Sequence, residues 1–274
     1  MPALLKRAIL VLSLILIWPT LAFSAGPFRP NCTIPFEDIA TENLSIDAQC
    51  GFEGTANDDR NAAQNREKNN LCANGRPVSI SYSAFKSLQK KVDLLDISYG
   101  SHNSLPEDRN DLKKILKYKN RNIGEGTVVR YVGFINHPRY SNTGKGESVN
   151  CKHSGKTFND IHVDLVRRKG ENVCRSITME IIPHFRPEYW EVDVLKEITH
   201  PVRITGQLFF DGSHKPCTKD KVRNPKRITV WEIHPVYAID VCKRASLGSC
   251  SVSKKAAWVP LDEWANIAND DGEE

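Results

Sequence analysis

The sequence predicts a mainly β protein, a five-stranded barrel that follows a mostly helical N-terminal region. Apolar residues recur every three or four positions up to about residue 122 and every second position from residue 123 onward, which marks a change from helical to strand periodicity. Five strand-like segments follow, with one helix-like segment between the third and the fourth. Three strands, one helix and two strands is the order of an OB-fold, a small Greek-key barrel. The sequence therefore predicts an OB-fold-like barrel.

The predicted barrel spans residues 123–245. Its five strands lie in GTVVRYVGFIN, NDIHVDLV, RSITMEIIPHF, PVRITGQLFFDG and RITVWEIHPVYAIDV. The helix lies in RPEYWEVDVLKEI, where Pro187 suits a first turn and Trp190 and Ile198 share one face. Residues 246–274 form a C-terminal segment that ends in the acidic tail NDDGEE.

Residues 26–122 are predicted to be mostly helical and linked by disulfides. The stretch SYSAFKSLQKKVDLL has apolar residues at helical spacing, namely Phe85, Leu88, Val92 and Leu95. Ser104 and Glu107 form a capping box that predicts a further helix start. The polar stretch GTANDDRNAAQNREKNN fits either a solvated helix or a loop held between Cys50 and Cys72.

The first 25 residues predict export. Lys6 and Arg7 precede the apolar run AILVLSLILIW, and small residues follow it, which is the pattern of a secretory signal peptide. The run is shorter than the roughly 20 residues that a membrane-spanning helix needs. We therefore expect cleavage near residues 22–25 and a periplasmic or extracellular protein without a membrane span. Without Lys6 and Arg7 the formal charge falls from +5 to +3, a small excess for a nucleic-acid-binding protein.

The cysteines predict disulfide bonds. Eight follow the predicted signal peptide: Cys32, Cys50, Cys72, Cys151, Cys174, Cys217, Cys242 and Cys250. An even number in an exported chain favours disulfides, and the absence of a CxxC pair argues against a thiolate zinc site. We expect short-range pairs, above all Cys50–Cys72 and Cys151–Cys174. The remaining expected bond joins Cys217 to one of two later cysteines, Cys242 or Cys250.

Strand alternation divides the barrel side chains into an apolar inner face and a polar outer face. On the fifth strand Trp231, Ile233 and Tyr237 are predicted to face the core, whereas Glu232 and His234 face outward. The second and third strands carry a similar outward set: Asp160, His162, Asp164, Glu180 and His184. The second and third strands are neighbours, so their polar groups can meet. We expect the fifth strand to pair with the first, so that the acid–histidine pairs need not converge.

Three interpretations of these pairs remain open. They can form a solvated wall of cross-strand contacts, with Arg130 and Arg203 as further partners. They can bind a divalent metal, since imidazole and carboxylate suit zinc and related ions. They can also form a metal-free pair in which a carboxylate orients a histidine. The candidate residues are Asp160, His162, Glu180, His184, Glu232 and His234.

Several longer motifs carry a resemblance. The segments VRITGQLFFDGSHKPC and WEIHPVYAIDVC, with ESVNC and NDIHVDL upstream, resemble a family of exported bacterial proteins of unassigned function. The resemblance covers roughly residues 50–242. It implies an OB-fold-like domain in an exported protein, and it implies no activity.

The function that we expect is an exported, non-enzymatic binding or interaction module whose ligand contacts loops 138–157 and 211–227. The alternative is a metal-dependent hydrolase that uses the acid–histidine face. No cofactor is predicted apart from the divalent metal of that alternative, and the ligand or protein partner stays undefined. The acidic second and third strands argue against single-stranded nucleic acid, which binds to aromatic and cationic surfaces. The Gly-rich stretch TGKGES lacks phosphate-loop spacing and is predicted to be a flexible rim loop.

Overall fold

The computed structural model of the protein describes residues 50–106, 108–184 and 186–270. The predicted signal peptide and Cys32 lie outside these residues. The described helices are α1 (Asp59–Lys68), α2 (Tyr82–Leu94), α3 (Val192–Glu197) and α4 (Leu261–Asp270). The described strands are β1 (Val78–Ser79), β2 (Leu116–Tyr118), β3 (Arg121–Ile123), β4 (Val128–Tyr140), β5 (Ile161–Val166), β6 (Ile177–Ile181), β7 (Val202–Phe210), β8 (Trp231–Cys242) and β9 (Trp258–Pro260).

Five of these strands close a barrel, and the protein is mainly β as predicted. The strands follow one another around the barrel in the order β4, β5, β6, β8 and β7, and β7 pairs back to β4. Neighbours are antiparallel except β6 and β8, which are parallel. Each barrel strand coincides with a predicted strand segment, and α3 lies between the third and fourth of them.

The predicted position of the fifth barrel strand is wrong. β8 lies between β6 and β7, with Ile233 beside Met179 of β6, whereas β7 makes the closing contact with β4. Alternation along one strand does not specify which strand lies beside it, so this pairing could not be read from the sequence pattern. As a result β5, β6 and β8, which carry the acid–histidine pairs, are consecutive in the barrel wall.

The barrel core is apolar and follows the predicted alternation. Trp231 and Ile233 of β8 are fully buried in the same cluster as Met179 of β6. α2 packs on this core through buried apolar side chains, namely Phe85, Leu88 and Val92. Leu95, which was predicted to share that face, is 57% exposed because it follows the last helical residue.

Two register shifts change the side-chain alternation of β8. Ile233 pairs with Leu208, Val236 with Gly206 and Ala238 with Thr205, so β8 has one extra residue in each of the two intervals. Each extra residue shifts the alternation by one position, and the core cluster therefore contains Val236 and Ile239 but not Tyr237. Tyr237 was predicted to face the core; its hydroxyl donates to the backbone carbonyl of Asn70, 2.6 Å away, in the segment after α1.

The regions that flank the barrel contain both helix and strand. β1 is parallel to β4, β2 and β3 form a hairpin, and β9 pairs with β8 ahead of α4. Where the capping box predicted a helix, the described residues contain two 3-10 turns, His102–Ser104 and Asn110–Leu112, and no α-helix. Residues 26–49 lie outside the description, so a mostly helical N-terminal region stays a prediction. Across the described chain, none of the helices has the length and apolar character needed to cross a bilayer.

Three disulfide bonds are present among the described residues. Two of them join segments that are far apart in the sequence, and the third joins cysteines 8 residues apart. They join Cys50 to Cys151, Cys174 to Cys217 and Cys242 to Cys250. The prediction of disulfides is therefore confirmed for these cysteines, but every predicted pairing is wrong. A disulfide requires Cα atoms roughly 4.4–6.8 Å apart, and tertiary structure rather than sequence spacing brings loops that close. The bond from Cys50 ties the segment before α1 to the loop after β4.

Candidate functional site

The outer face of β5, β6 and β8 is covered by the rest of the chain. Helix α1 packs over this face and is held by two hydrogen bonds. Gln64 Nε2 donates to Ser213 Oγ at 2.7 Å, and Asn65 Nδ2 donates to Ser148 Oγ at 3.1 Å. Beneath this cover Glu232 is 1% exposed and His234 is 0% exposed. The alternation therefore placed these side chains on the correct face, but the prediction of a solvated wall with an accessible Glu232 is wrong.

Glu180 of β6 lies between two histidines from the neighbouring strands. Its Oε1 is 3.2 Å from Nε2 of His162, the residue opposite it on β5. Its Oε2 is 2.7 Å from Nδ1 of His234 on β8. The parallel pairing of β6 and β8 brings the second histidine to this position. The predicted pairs Asp160–His162 and Glu232–His234 are thus combined through Glu180, a residue of the middle strand.

Two groups of potential metal ligands share one aspartate. The inner triad consists of Asp160, Glu180 and His234, and the outer triad consists of Glu147, Asp160 and His162. Within each triad one ligand atom per residue lies within 4.8 Å of the others. Asp160 immediately precedes β5, and its Oδ1 accepts a hydrogen bond from Asn150 Nδ2 at 3.0 Å. Together with Lys68, these residues are called the acid–histidine site below.

Lys68, the last residue of α1, places an ammonium group in the site. Its Nζ is 3.6 Å from Glu147 Oε2 and 3.8 Å from Glu180 Oε2, and its side chain is 13% exposed. A cation between two carboxylates offsets part of the cost of burying them. The polar helix above the barrel therefore supplies charge to the site as well as covering it.

Several buried polar atoms of the site lack a hydrogen bond of good geometry within the described chain. They are Asp160 Oδ2, His162 Nε2, Glu180 Oε2, Glu232 Oε2 and both ring nitrogens of His234. The close approach of His234 to Glu180 is an ion-pair contact without hydrogen-bond alignment. Buried polar groups are normally paired, so the convergence of several such atoms makes this place the candidate site.

The electrostatics of the site favour the charged forms of Glu180 and of its two neighbouring histidines. Burial would raise the pKa of Glu180, but His162, Lys68 and His234 lower it to about 2. Burial would lower the pKa of both histidines, but Glu180 raises each of them to about 9, with help from Glu147 for His162 and from Glu232 for His234. Metal binding at neutral pH therefore has to displace protons from imidazole groups, as metal binding generally does.

Glu232 has a structural partner that explains its burial. The fully buried guanidinium of Arg227 forms an ion pair with Glu232 Oε1 and donates from Nη2 to Asp211 Oδ2 at 2.8 Å. The same Nη2 donates to the carbonyl of His214 at 3.0 Å. Glu232 Oε2 is 3.9 Å from His234 Nδ1, farther than Glu180 is. Glu232 therefore joins the segment after β7 to β8 and borders the inner triad.

Other predicted participants lie outside the site. His184 is buried beyond the end of β6 and supplies no atom to either triad. Asp164 lies farther along β5, away from the site, and its Oδ2 is 3.2 Å from Arg139 Nη1. Arg203 pairs with Asp240 at 2.9 Å, and Arg130 donates to Thr205 Oγ1 at 3.2 Å. The site thus contains five of the six candidate residues at its centre or border.

Sequence reasoning missed the residues that the flanking segments contribute. Lys68 was overlooked because its polar segment fitted either a helix or a loop. Glu147 lies in the stretch predicted as a flexible rim loop, but its Oε1 accepts hydrogen bonds from Ser141 Oγ at 2.7 Å and Asn142 Nδ2 at 2.8 Å. The loop is therefore anchored at Glu147. Arg227 gave one usable signal, a cation close in sequence to an acid on a buried strand.

Comparison with known proteins gives no assignment. No protein-family model matches the chain, and neither the curated proteins nor the solved structures contain a significant match.

Proposed function

We propose that the protein is an exported, non-enzymatic binding module that holds one divalent cation in the inner triad. The observation that carries this proposal is the convergence of three buried residues, Asp160, Glu180 and His234, each of which has a polar atom without a hydrogen bond in the described chain. Two carboxylates and one imidazole form a ligand set that suits zinc or manganese. Two ligands of one tetrahedral zinc ion lie about 3.4 Å apart, so small side-chain shifts are sufficient for coordination.

The scaffold that we propose for this module is an OB-fold-like barrel. Support comes from the closed strand order, from the parallel third and fifth barrel strands, and from α3 between the third and fourth strands. Export is supported by the signal-like N-terminus and by the three disulfides. The same features agree with the resemblance to exported proteins of unassigned function.

The proposed ligand, an enclosed metal ion, differs from the ligand that we expected to contact two loops. Residues 138–157 and 211–227 were expected to contact an external ligand, but Ser148 and Ser213 of these loops are hydrogen-bonded to α1. Their side chains Glu147 and Arg227 point into the polar layer under that helix. This arrangement favours a small, enclosed ligand such as a metal ion over a large one.

A metal-dependent hydrolase is the second candidate, and the outer triad favours it. Its side chains reach the surface, with His162 16% exposed and Glu147 11% exposed, so a metal there could keep a position open for water and substrate. The ammonium of Lys68 already lies against Glu147, however, and the inner triad is enclosed. These two features favour binding over catalysis.

Metal analysis of the purified protein tests the proposal. After treatment with EDTA and removal of the chelator, titration with Zn²⁺ followed by elemental analysis is expected to give about one ion per chain. Asp160→Asn should weaken binding by at least about 10- to 100-fold, the loss that even supporting residues of metal sites cause. Asp164→Asn is the matched control, because Asp164 lies on β5 but outside the site. The Asp164→Asn protein should retain the ion.

Two outcomes would contradict the proposal. Failure of the wild-type protein to retain zinc, manganese or another divalent ion would remove it. Equal loss of binding in Asp160→Asn and Asp164→Asn would show that the effect is not specific to the triad. Hydrolysis of a chromogenic phosphodiester by the metal-loaded protein, abolished by His162→Ala, would favour the hydrolase instead.

A further inference from the structure

The shared aspartate gives the acid–histidine site the layout of a centre for two cations. Asp160 belongs to both triads; its Oδ1 is hydrogen-bonded to Asn150 and its Oδ2 has no hydrogen-bond partner in the described chain. Sites for two metal ions place the ions about 3.5–4 Å apart, and one carboxylate with two oxygens can reach both. The outer triad is thus a second potential cation position beside the first.

The side-chain ammonium of Lys68 lies next to this second position. Its Nζ lies between Glu147 of the outer triad and Glu180, the acid of the inner triad that faces His162. The ammonium and a metal ion at the outer triad would therefore compete for the carboxylate of Glu147. A lysine ammonium is a compact, strongly hydrated point charge, so it can neutralise two acids without imposing coordination geometry.

The fold fixes the position of Lys68. The neighbouring turn of α1 is held by Asn65, which donates to Ser148 Oγ and to the carbonyl of Glu53. The carbonyl of Glu67 accepts from Gln207 Nε2 of β7 at 2.8 Å. These contacts hold the helical turn that precedes the lysine to the barrel and to the loop after β4. The ammonium is therefore a built-in part of the site.

The charge of Lys68 disfavours a second metal ion. Two divalent cations in the two triads supply four positive charges, and both imidazoles bind a metal as neutral ligands. The carboxylates of the two triads, Glu147, Asp160 and Glu180, supply at most three negative charges. The ammonium of Lys68 raises the buried excess of positive charge from one to two, which is costly. Without the ammonium the excess is smaller, and a second ion is less disfavoured.

We propose that Lys68 is a tethered substitute for a second metal ion, so that a site with the ligands for two divalent cations accepts only one. This inference rests on the proposed function, since it assumes that the inner triad binds the first ion. It predicts that Lys68→Met opens the outer triad to a second divalent cation. Lys68→Arg keeps the positive charge and leaves the outer triad closed.

The experiment counts zinc ions bound by variants of the full-length mature protein. Wild type and Lys68→Arg are expected to bind about one Zn²⁺ per chain, and Lys68→Met about two, by isothermal titration and elemental analysis. Lys86→Met, the same change at an exposed position of α2, is the matched control and should bind about one. Adding His162→Ala to Lys68→Met should return the count to about one, because it removes a ligand of the outer triad.

The difference between variant and wild type tests the inference, whereas the wild-type count tests the proposed function. A Lys68→Met protein that binds the same number of ions as wild type would overturn the role assigned to Lys68 while leaving the inner triad intact as a site. Should Lys68→Met fail to fold without metal, Zn²⁺ is expected to restore its native far-ultraviolet circular dichroism when KCl of equal ionic strength does not. Failure of Zn²⁺ to restore the fold would equally overturn the inference.

Discussion

Glu232→Gln is expected to destabilise the protein by about 3 kcal/mol. Removing one partner of a buried ion pair costs about 3–5 kcal/mol, because the remaining charge is left without compensation. Arg227 would keep its contact with Asp211 Oδ2 at 2.8 Å and with a backbone carbonyl. Burial, and then repulsion from Glu180, already raise the pKa of Glu232, so its ionised form is partly disfavoured. Both effects place the expected loss at the lower end of the range.

Urea unfolding of the metal-free protein, followed by tryptophan fluorescence, measures this loss. Glu197→Gln, the same change at an exposed position near the end of α3, should stay within about 0.5 kcal/mol of wild type. The double variant Arg227→Met, Glu232→Gln should cost less than the sum of its single changes, since the two residues interact directly. A loss below about 1 kcal/mol for Glu232→Gln would refute the assignment of Glu232 as a required partner of the buried guanidinium.

Three further outcomes are expected. Trp231→Ala should lower the free energy of unfolding by about 3–5 kcal/mol, because the indole is fully buried in the barrel core; a loss below about 1 kcal/mol in urea would contradict that position. Burial would raise the pKa of Asp211, but Arg227 holds it well below the usual range. The stabilisation of the fold by ionised Asp211 is therefore complete above about pH 4 and is lost as the pH falls through the lower pKa of the folded state. Thermal melts of Asp211→Asn should lack this part of the acid dependence. Replacing Cys50 and Cys151 by Ala removes a bond between cysteines 101 residues apart and should lower the free energy of unfolding by about 4–5 kcal/mol. Removing the bond between Cys242 and Cys250, which are 8 residues apart, should lower it by about 2–3 kcal/mol. Equal losses in chemical denaturation would count against the pairing.

The strands of the barrel and the orientation of their side chains were predictable from sequence. Alternation alone placed Trp231 and Ile233 in the core and put Glu232 and His234 on the opposite face. This works because successive side chains of a strand point to opposite faces whatever the strand pairs with. The stretch between Ile233 and Ile239 is the exception, because two register shifts against β7 each move the alternation by one position.

The neighbours of each strand were not predictable in the same way. The expectation that the fifth strand lies beside the first separated His234 from Glu180, whereas the parallel pairing brings them to 2.7 Å. The predictions of short-range cysteine pairs failed for the same reason, because the packing of α1 over the barrel brings Cys50 next to Cys151. Local periodicity specifies a face, and it contains no information about distance between elements that are far apart in the chain.

For the barrel, the kinds of element, their order, the apolar face of most strand positions and the residue types that can bind a metal followed from the sequence alone. The strands β1, β2 and β3, which lie in a region predicted to be mostly helical, did not. The tertiary structure alone decided that the polar face is buried, that Glu180 is its centre and that Lys68 and Glu147 belong to it. The physical reason is that a side chain's orientation follows from local backbone geometry, whereas burial and charge pairing depend on every segment packed above it. Whether Glu232 and His234 face solvent or a charged interior was decided by the helix that covers them.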